Sequence, residues 1–222
     1  MTAQIVISFQ SYWFVGTGRE AGVYADSIPV KKKLSPEHKE MVPCVPGKTV
    51  KGMFRDAFMT AARNGWFKDN PSRDFLAKSL FGMPGPDKHN NKEPDKTANN
   101  EPGIFGAPGI LHFSTLEISD AVKTYLCGNP QAVSELFRTV KSTAIDAATG
   151  TARNKSLREY EVVVPLTLKG ELSFEEKEIQ ELNFKDSKDF IARLNEVASL
   201  ITELGGKRTR GFGQCVITVK EA

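Results

Sequence analysis

Apolar positions along the chain alternate between two periods. Ile5-Val-Ile-Ser-Phe9 is an apolar run that predicts a strand, and Tyr12-Trp13-Phe14 follow before Gly16-Thr-Gly18 turns the chain. Residues 19–46 keep neither period. They carry Pro29, Pro36, Pro43, Pro46 and the run Lys31-Lys-Lys33, so a long irregular loop is expected, and such loops are usually functional. From Thr49 onward Val50, Met53, Phe54, Ala57, Phe58 and Ala61 return at helical spacing, and Lys51 and Arg55, four apart, share the opposite side. A second helical piece, Arg73 to Leu80, leads into Phe81-Gly82. Residues 84–109 are rich in Pro, Gly, Asn, Asp and Lys, which predicts a flexible insertion too polar to order itself. Ile110 to Ile118 reads as one strand, and Val162 to Leu168 and Gly170 to Phe174 as two more. Between them, Asp146-Ala-Ala-Thr-Gly150 is a turn signal flanked by extended runs, so 138–160 is expected to protrude as a long basic hairpin. Phe190, Leu194, Val197, Leu200, Ile201 and Leu204 predict a last helix over 187–204, stopped by Gly205-Gly206 and followed by the strand Cys215 to Val219. The resulting order, β, α, insertion, β, hairpin, β, α, β, predicts an α+β fold. Its core is ferredoxin-like or RRM-like, βαββαβ, with long insertions forming a lid and a hairpin.

Charge changes this picture by its distribution. The net charge of the 222 residues is only +3, with a pI near 8.7. The cations gather at Lys31–Lys33, between Arg138 and Arg158, and in Gly205-Gly-Lys-Arg-Thr-Arg-Gly-Phe-Gly213, whereas Glu171 to Asp189 is acidic. Such segregation predicts one face for a polyanion and another for a protein neighbour or solvent. In the glycine stretch, Lys207, Arg208 and Arg210 would supply phosphate ligands, and the glycines would expose amide groups as an anion nest. Cys44, Cys127 and Cys215 are far apart and odd in number, which argues against a disulfide framework or a metal site. No stretch reads as a signal peptide or membrane span, so a soluble cytoplasmic protein is expected.

Several motifs fall short. Gly47-Lys48-Thr49 before a helix has the end of a P-loop, but Val42 stands where its first glycine belongs. What remains is a helix N-terminus with a cation and a hydroxyl, able to hold a phosphate. Arg210-Gly-Phe-Gly-Gln resembles the RNP1 motif of RNA-recognition modules, yet Gln214 replaces its base-stacking aromatic and the strand is the last of the fold. His38, His89 and His112 lack partners at ligand spacing.

Four blocks in order resemble the RAMP superfamily, and within it the backbone subunit of type III CRISPR effector complexes. Val23-Tyr-Ala-Asp26-Ser-Ile-Pro-Val30 is similar to the family's catalytic loop, here 19–46. Val45-Pro-Gly-Lys-Thr-Val-Lys51-Gly-Met-Phe-Arg55 is similar to its helix start, although Lys48 and Thr49 replace two small residues. Thr143 to Ala152 with Leu157-Arg158-Glu-Tyr-Glu161 is similar to its thumb hairpin, and Gly205 to Gly213 to its glycine-rich loop. The resemblance implies a single domain over 1–222 and copies of the chain stacked with other type III effector subunits on a CRISPR guide RNA. It also implies cleavage of the guide-paired single-stranded target RNA. Asp26 would be catalytic, holding Mg²⁺ or Mn²⁺ transiently. The guide would be held by Lys48, Thr49, Lys51, Arg55, Gly206, Lys207, Arg208, Arg210 and Gly211. Thumb residues Thr143, Ile145, Arg153, Leu157 and Arg158 would wedge into the guide–target duplex. A non-catalytic scaffold of the same fold and a stand-alone precursor-RNA-processing endoribonuclease are the alternatives.

Overall fold

A computed structural model describes residues 1–16, 28–82 and 108–222. In chain order the elements are β1 (Thr2–Phe9), β2 (Lys31–Lys33), β3 (Met41–Pro43), α1 (Gly47–Arg63), α2 (Arg73–Phe81), β4 (His112–Phe113), β5 (Glu117–Ile118) and α3 (Asp120–Gly128). There follow a 3-10 turn at Pro130–Leu136, β6 (Phe137–Ser142), β7 (Arg158–Val163), β8 (Thr167–Ser173), α4 (Glu176–Glu181), α5 (Ser187–Ala198), a 3-10 turn at Arg208–Arg210 and β9 (Cys215–Glu221).

β1 is the centre. It pairs antiparallel with β8 on one side and with β9 on the other, in a sheet ordered β4-β8-β1-β9, and β5 also pairs with β8. Alternation along β1 sends Ala3, Ile5, Ile7 and Phe9 to one side, where all are buried. Over that side lie α1, with Val50, Phe54 and Phe58 buried, and α5, with Phe190 and Leu194 buried. Thr167, Lys169 and Glu171 of β8 face out on the other side and are exposed. The expected βαββαβ core is therefore present: β1, α1, β4/β5, β8, α5, β9.

Four expectations need correction. Ile110–Ile118 is not one strand. Leu116 leaves the edge of β8 and exchanges both backbone hydrogen bonds with Val45 (3.0 and 2.8 Å), burying its side chain and splitting the run into β4 and β5. The two strands expected at 162–168 and 170–174 divide elsewhere, at Val164-Pro165-Leu166, and β8 runs unbroken through Gly170. A Cβ at Gly170 would stand 2.9 Å from the Leu116 side chain, so the bare backbone is what admits Leu116. Next, α5 ends at Ala198, well short of Gly205. The Ser199 hydroxyl donates to the Glu196 carbonyl (2.6 Å), and Leu204 is drawn into a backbone bond with Gly213. Finally, 28–46 is not structureless: β2 and β3 pair in a short ladder. The helix α3 and the short α4 were not anticipated. Ser119 caps α3 by accepting from the Val122 N–H (3.5 Å), with Asp120 in the first turn.

The expected hairpin is β6 and β7, a separate two-stranded sheet. Its tip closes as the turn signal implied. Asp146 accepts from Ala148 and Thr149, Gly150 takes φ +69°, and Ile145 bridges Ala152. At its base Val163 exchanges hydrogen bonds with Trp13 (2.7 and 3.1 Å), whose ring stacks on Phe9.

Candidate nucleic-acid interface

The loop between α5 and β9 is built on glycines for an internal reason. Gly205 lies at φ +101°, where a Cβ would come within 2.3 Å of the Phe14 carbonyl oxygen; at Gly206 it would meet the Phe14 ring at 2.5 Å. At Gly213, φ +75°, it would meet the Leu204 carbonyl oxygen at 1.9 Å. The amides of Gly206, Arg210, Gly211 and Gly213 donate to Phe14, Lys207, Arg208 and Tyr12 carbonyls. These amides are thus committed within the chain, contrary to the expected anion nest. Gly211 alone of the four glycines has open space around its α-carbon (φ +79°).

The packing of the glycines fixes where the cations go. Lys207, left-handed at φ 56°, lays its Nζ over the Tyr160 ring of β7, 3.7 Å from the centroid. Pairing across the hairpin puts Ser142, Arg158, Val140, Tyr160, Arg138 and Val162 on one face. That face meets Phe14 and Phe212 in a small apolar cluster of its own. Burial would push the Tyr160 phenol up, but hydrogen bonds with Lys207, Ser142 and Arg158 and the Lys207 charge outweigh it and bring the group below its ordinary value. Beside the ring is a cavity of about 140 Å³ lined by Ser142, Thr143, Ser156, Arg158, Tyr160 and Arg210. Among the described residues no ion pair involves Arg158, Lys207 or Arg210. Three cations thus converge where no carboxylate answers them, around hydroxyl groups. That arrangement suits a phosphate.

Arg208 points elsewhere. It lines a second cavity, about 270 Å³, with Met53, Asp56 and Thr60 of α1 and with Glu203. The α1 start has no side-chain cap, and Gly47 is required there because a Cβ would lie 2.1 Å from the Phe113 carbonyl oxygen. Lys48 is exposed, and Thr49, Lys51 and Arg55 are half-buried. Burial, then the neighbouring Arg55 charge, holds the Lys51 ammonium below the usual lysine range. Lys51 and Arg55 thus neighbour each other on α1, whose Met53, Asp56 and Thr60 share the second cavity with Arg208. Of the hairpin residues, Thr143 shares a 2.7 Å hydrogen bond with Ser156 at the cavity, whereas Ile145 and Leu157 are more than 60% exposed. Arg153 is exposed at the tip, its amide donating to the Ala144 carbonyl.

The lysine run departs from its expected role. Lys31 pairs with Glu161 and Lys32 with Glu117, so among the described residues only Lys33 of the three is left without a carboxylate. Asp26 and most of the insertion, 84–107, lie outside the described residues. Tyr160 and Ser156 were overlooked by sequence reasoning. Strand alternation placing Tyr160 beside Arg158 was the available signal.

The family model of the RAMP superfamily matches residues 6–216. No curated protein matches the chain. Among solved structures it is similar to a chain of the type III-B Cmr-beta complex bound to cognate target RNA, with a TM-score of 0.61 at 12% identity, covering 99% of this chain and 97% of that one. It is similar also to a chain of a type IV-B CRISPR complex, with a TM-score of 0.55 at 13% identity, covering 99% and 90% respectively. At such identities the structural likeness speaks to the fold.

Proposed function

This chain belongs to the RAMP superfamily, and from that premise we propose that it is a guide-RNA-binding backbone subunit of a type III CRISPR effector complex. In this reading it also promotes cleavage of the paired target RNA. The observation that carries the binding reading is a hydroxyl-lined cavity on the Tyr160 face of the hairpin, lined by Arg158 and Arg210, with Lys207 over the Tyr160 ring beside it. A backbone subunit must grip sugar-phosphate without reading sequence, and cations with hydroxyls do that while base pairing carries specificity. Both similar structures are CRISPR complexes, one holding target RNA, which supports guide RNA, target RNA and other subunits as partners. Among the described residues no helix is long and apolar enough to cross a membrane.

The cleavage half rests on Asp26 with its flanking Ser27-Ile28-Pro29. Among the described residues no group of three metal-ligating side chains exists. A single carboxylate completed by water and phosphate oxygens is a donor set that suits hydrated Mg²⁺ or Mn²⁺. Such an ion would offset charge building on the phosphate oxygens. The 2′-hydroxyl of the RNA would lose its proton to water and form the new bond to phosphorus as the P–O5′ bond breaks, so the protein need supply no nucleophile. The departing 5′-oxygen would take a proton from water, leaving a 2′,3′-cyclic phosphate and a 5′-hydroxyl. The test uses the complex purified with its native partner subunits. A short RNA of repeat-derived sequence should come with it, and added target RNA should be cut. Asp26→Asn should lower cutting by at least about 100-fold and leave guide loading unchanged, because the lost charge acts mainly at the transition state. A wild-type complex that holds RNA and cuts nothing would favour the scaffold alternative. A preparation without RNA would refute the reading.

A further inference from the structure

The hairpin meets the rest of the chain on both faces. On the Tyr160 face it has Lys207 and the glycine loop. The opposite face carries Phe137, Thr139, Lys141, Glu159, Glu161 and Val163, by the pairing of Phe137 with Val163 and Thr139 with Glu161. There Lys31 reaches across both strands: its Nζ is 2.7 Å from Glu161 Oε2 on β7 and 4.0 Å from the centre of the Phe137 ring on β6. Both partners of the ion pair are about one-quarter exposed (24% and 26%), so water screens them only in part.

Lys31 is itself on a fixed support. The Val30 amide donates to Val15 (2.8 Å) and Val30 accepts from Cys44 (3.2 Å), Pro29 bridges Gly16, and β2 pairs with β3. On the other side of β2, Lys32 is paired with Glu117, which also takes Lys123 (3.1 Å). Without Lys31, this face of the hairpin is held at its base, where Trp13 bonds Val163 and its indole N–H donates to the Val164 carbonyl (3.2 Å). From behind, the attachment sits at the base, where Phe137 and Val163 also pack on the main core, which leaves the ribbon beyond it some freedom to lean off its Tyr160-face contacts. A contact at Phe137 and Glu161 removes that freedom.

We infer that Lys31 is a positioning residue: it braces the hairpin from behind and so sets where Arg158 and Tyr160 stand relative to Lys207 and Arg210. The inference rests on the RNA-binding reading only for its consequence, not for the brace. It differs from a direct phosphate contact by Lys31, because the ion-pair part of the brace survives exchange of its two charges even though the cation over Phe137 is lost.

The test uses spin labels at Ala148→Cys on the hairpin tip and Lys169→Cys on the exposed face of β8, in a Cys127→Ser background; Cys44 and Cys215 are buried. The distance distribution should be narrow in the parent. It should roughly double in width in Lys31→Ala, Glu161→Ala and Lys31→Glu, because motion the ion pair forbids becomes thermally accessible. It should narrow again in the exchange Lys31→Glu/Glu161→Lys. RNA affinity should fall about three- to tenfold in Lys31→Glu and recover in the exchange. An unchanged width in Lys31→Ala, or an exchange as broad as Lys31→Glu, would overturn the brace. An exchange that narrows the distribution while affinity stays at the Lys31→Glu level would make Lys31 a phosphate contact instead. A parent that binds no RNA would refute the RNA reading, and the distances would still decide the brace.

Discussion

Single residues divide the glycine stretch by purpose. Gly205, Gly206 and Gly213 are there because backbone or ring atoms of Phe14 and Leu204 occupy the space of a Cβ, whereas Gly211 faces open space. Gly213→Ala should therefore destabilise the fold by more than about 3 kcal/mol, combining left-handed strain with a backbone clash, and Gly211→Ala by only about 1 kcal/mol from its φ. Equal shifts in chemical denaturation would sink this distinction. Lys51 makes the converse point. Its pKa is lowered by burial and by Arg55, so its protonated form is disfavoured in the folded chain relative to the unfolded one. Between the lowered folded pKa and the ordinary value of 10.5 the unfolded chain binds more protons, and stability should rise with pH across that window. Lys51→Met should then leave the thermal midpoint unchanged or higher while weakening RNA binding roughly threefold. A drop in midpoint of several degrees would show that Lys51 serves the fold instead.

Elements differ in how openly the chain declares them. The helix α1 was legible because its apolar residues keep one period and its cations the other side, and the hairpin because Asp146 and Gly150 specify its turn. The strand over 110–118 was misread because Leu116 answers to Val45, more than seventy residues away, and no local period records that. The same holds for the end of α5, where Leu200, Ile201 and Leu204 continue the helical pattern but Leu204 is claimed by Gly213. In the candidate site the cations were legible as a composition. Their sorting was not: Arg210 and Lys207 go to the hairpin, Arg208 to α1, and Lys31 and Lys32 to carboxylates. At this scale the hairpin tip is predicted to be separable. Deleting residues 145–153 removes exposed chain that contributes little to the core, so the thermal midpoint should move by less than about 3 °C. If the tip wedges into the duplex, cleavage products should lose their regular spacing. Unchanged, regular products would assign the spacing to another element.

For the whole molecule, the segregated charge noted in the sequence resolves into an arrangement. The sheet with α1 and α5 builds the main core, and the hairpin joins that core at its base through Val163 and Phe137. The hairpin forms a small second cluster on its Tyr160 face, and the glycine loop meets that face with Lys207 and Arg210 at the seam. A mild net charge of +3 then suffices, because what matters is three cations at one place that no carboxylate among the described residues pairs. The most direct test of this account is the salt dependence of guide-RNA binding for the wild type and for Arg158→Glu/Lys207→Glu/Arg210→Glu, with Arg208→Glu for comparison. The triple variant should bind at least about 100-fold more weakly, and its plot of log affinity against log salt should be shallower by about 2, close to 0.7 per lost phosphate contact on single-stranded RNA. Arg208→Glu should change either quantity far less. An intact triple variant with wild-type affinity and slope, or an Arg208→Glu variant affected as strongly, would contradict the seam as the place where the RNA backbone is held.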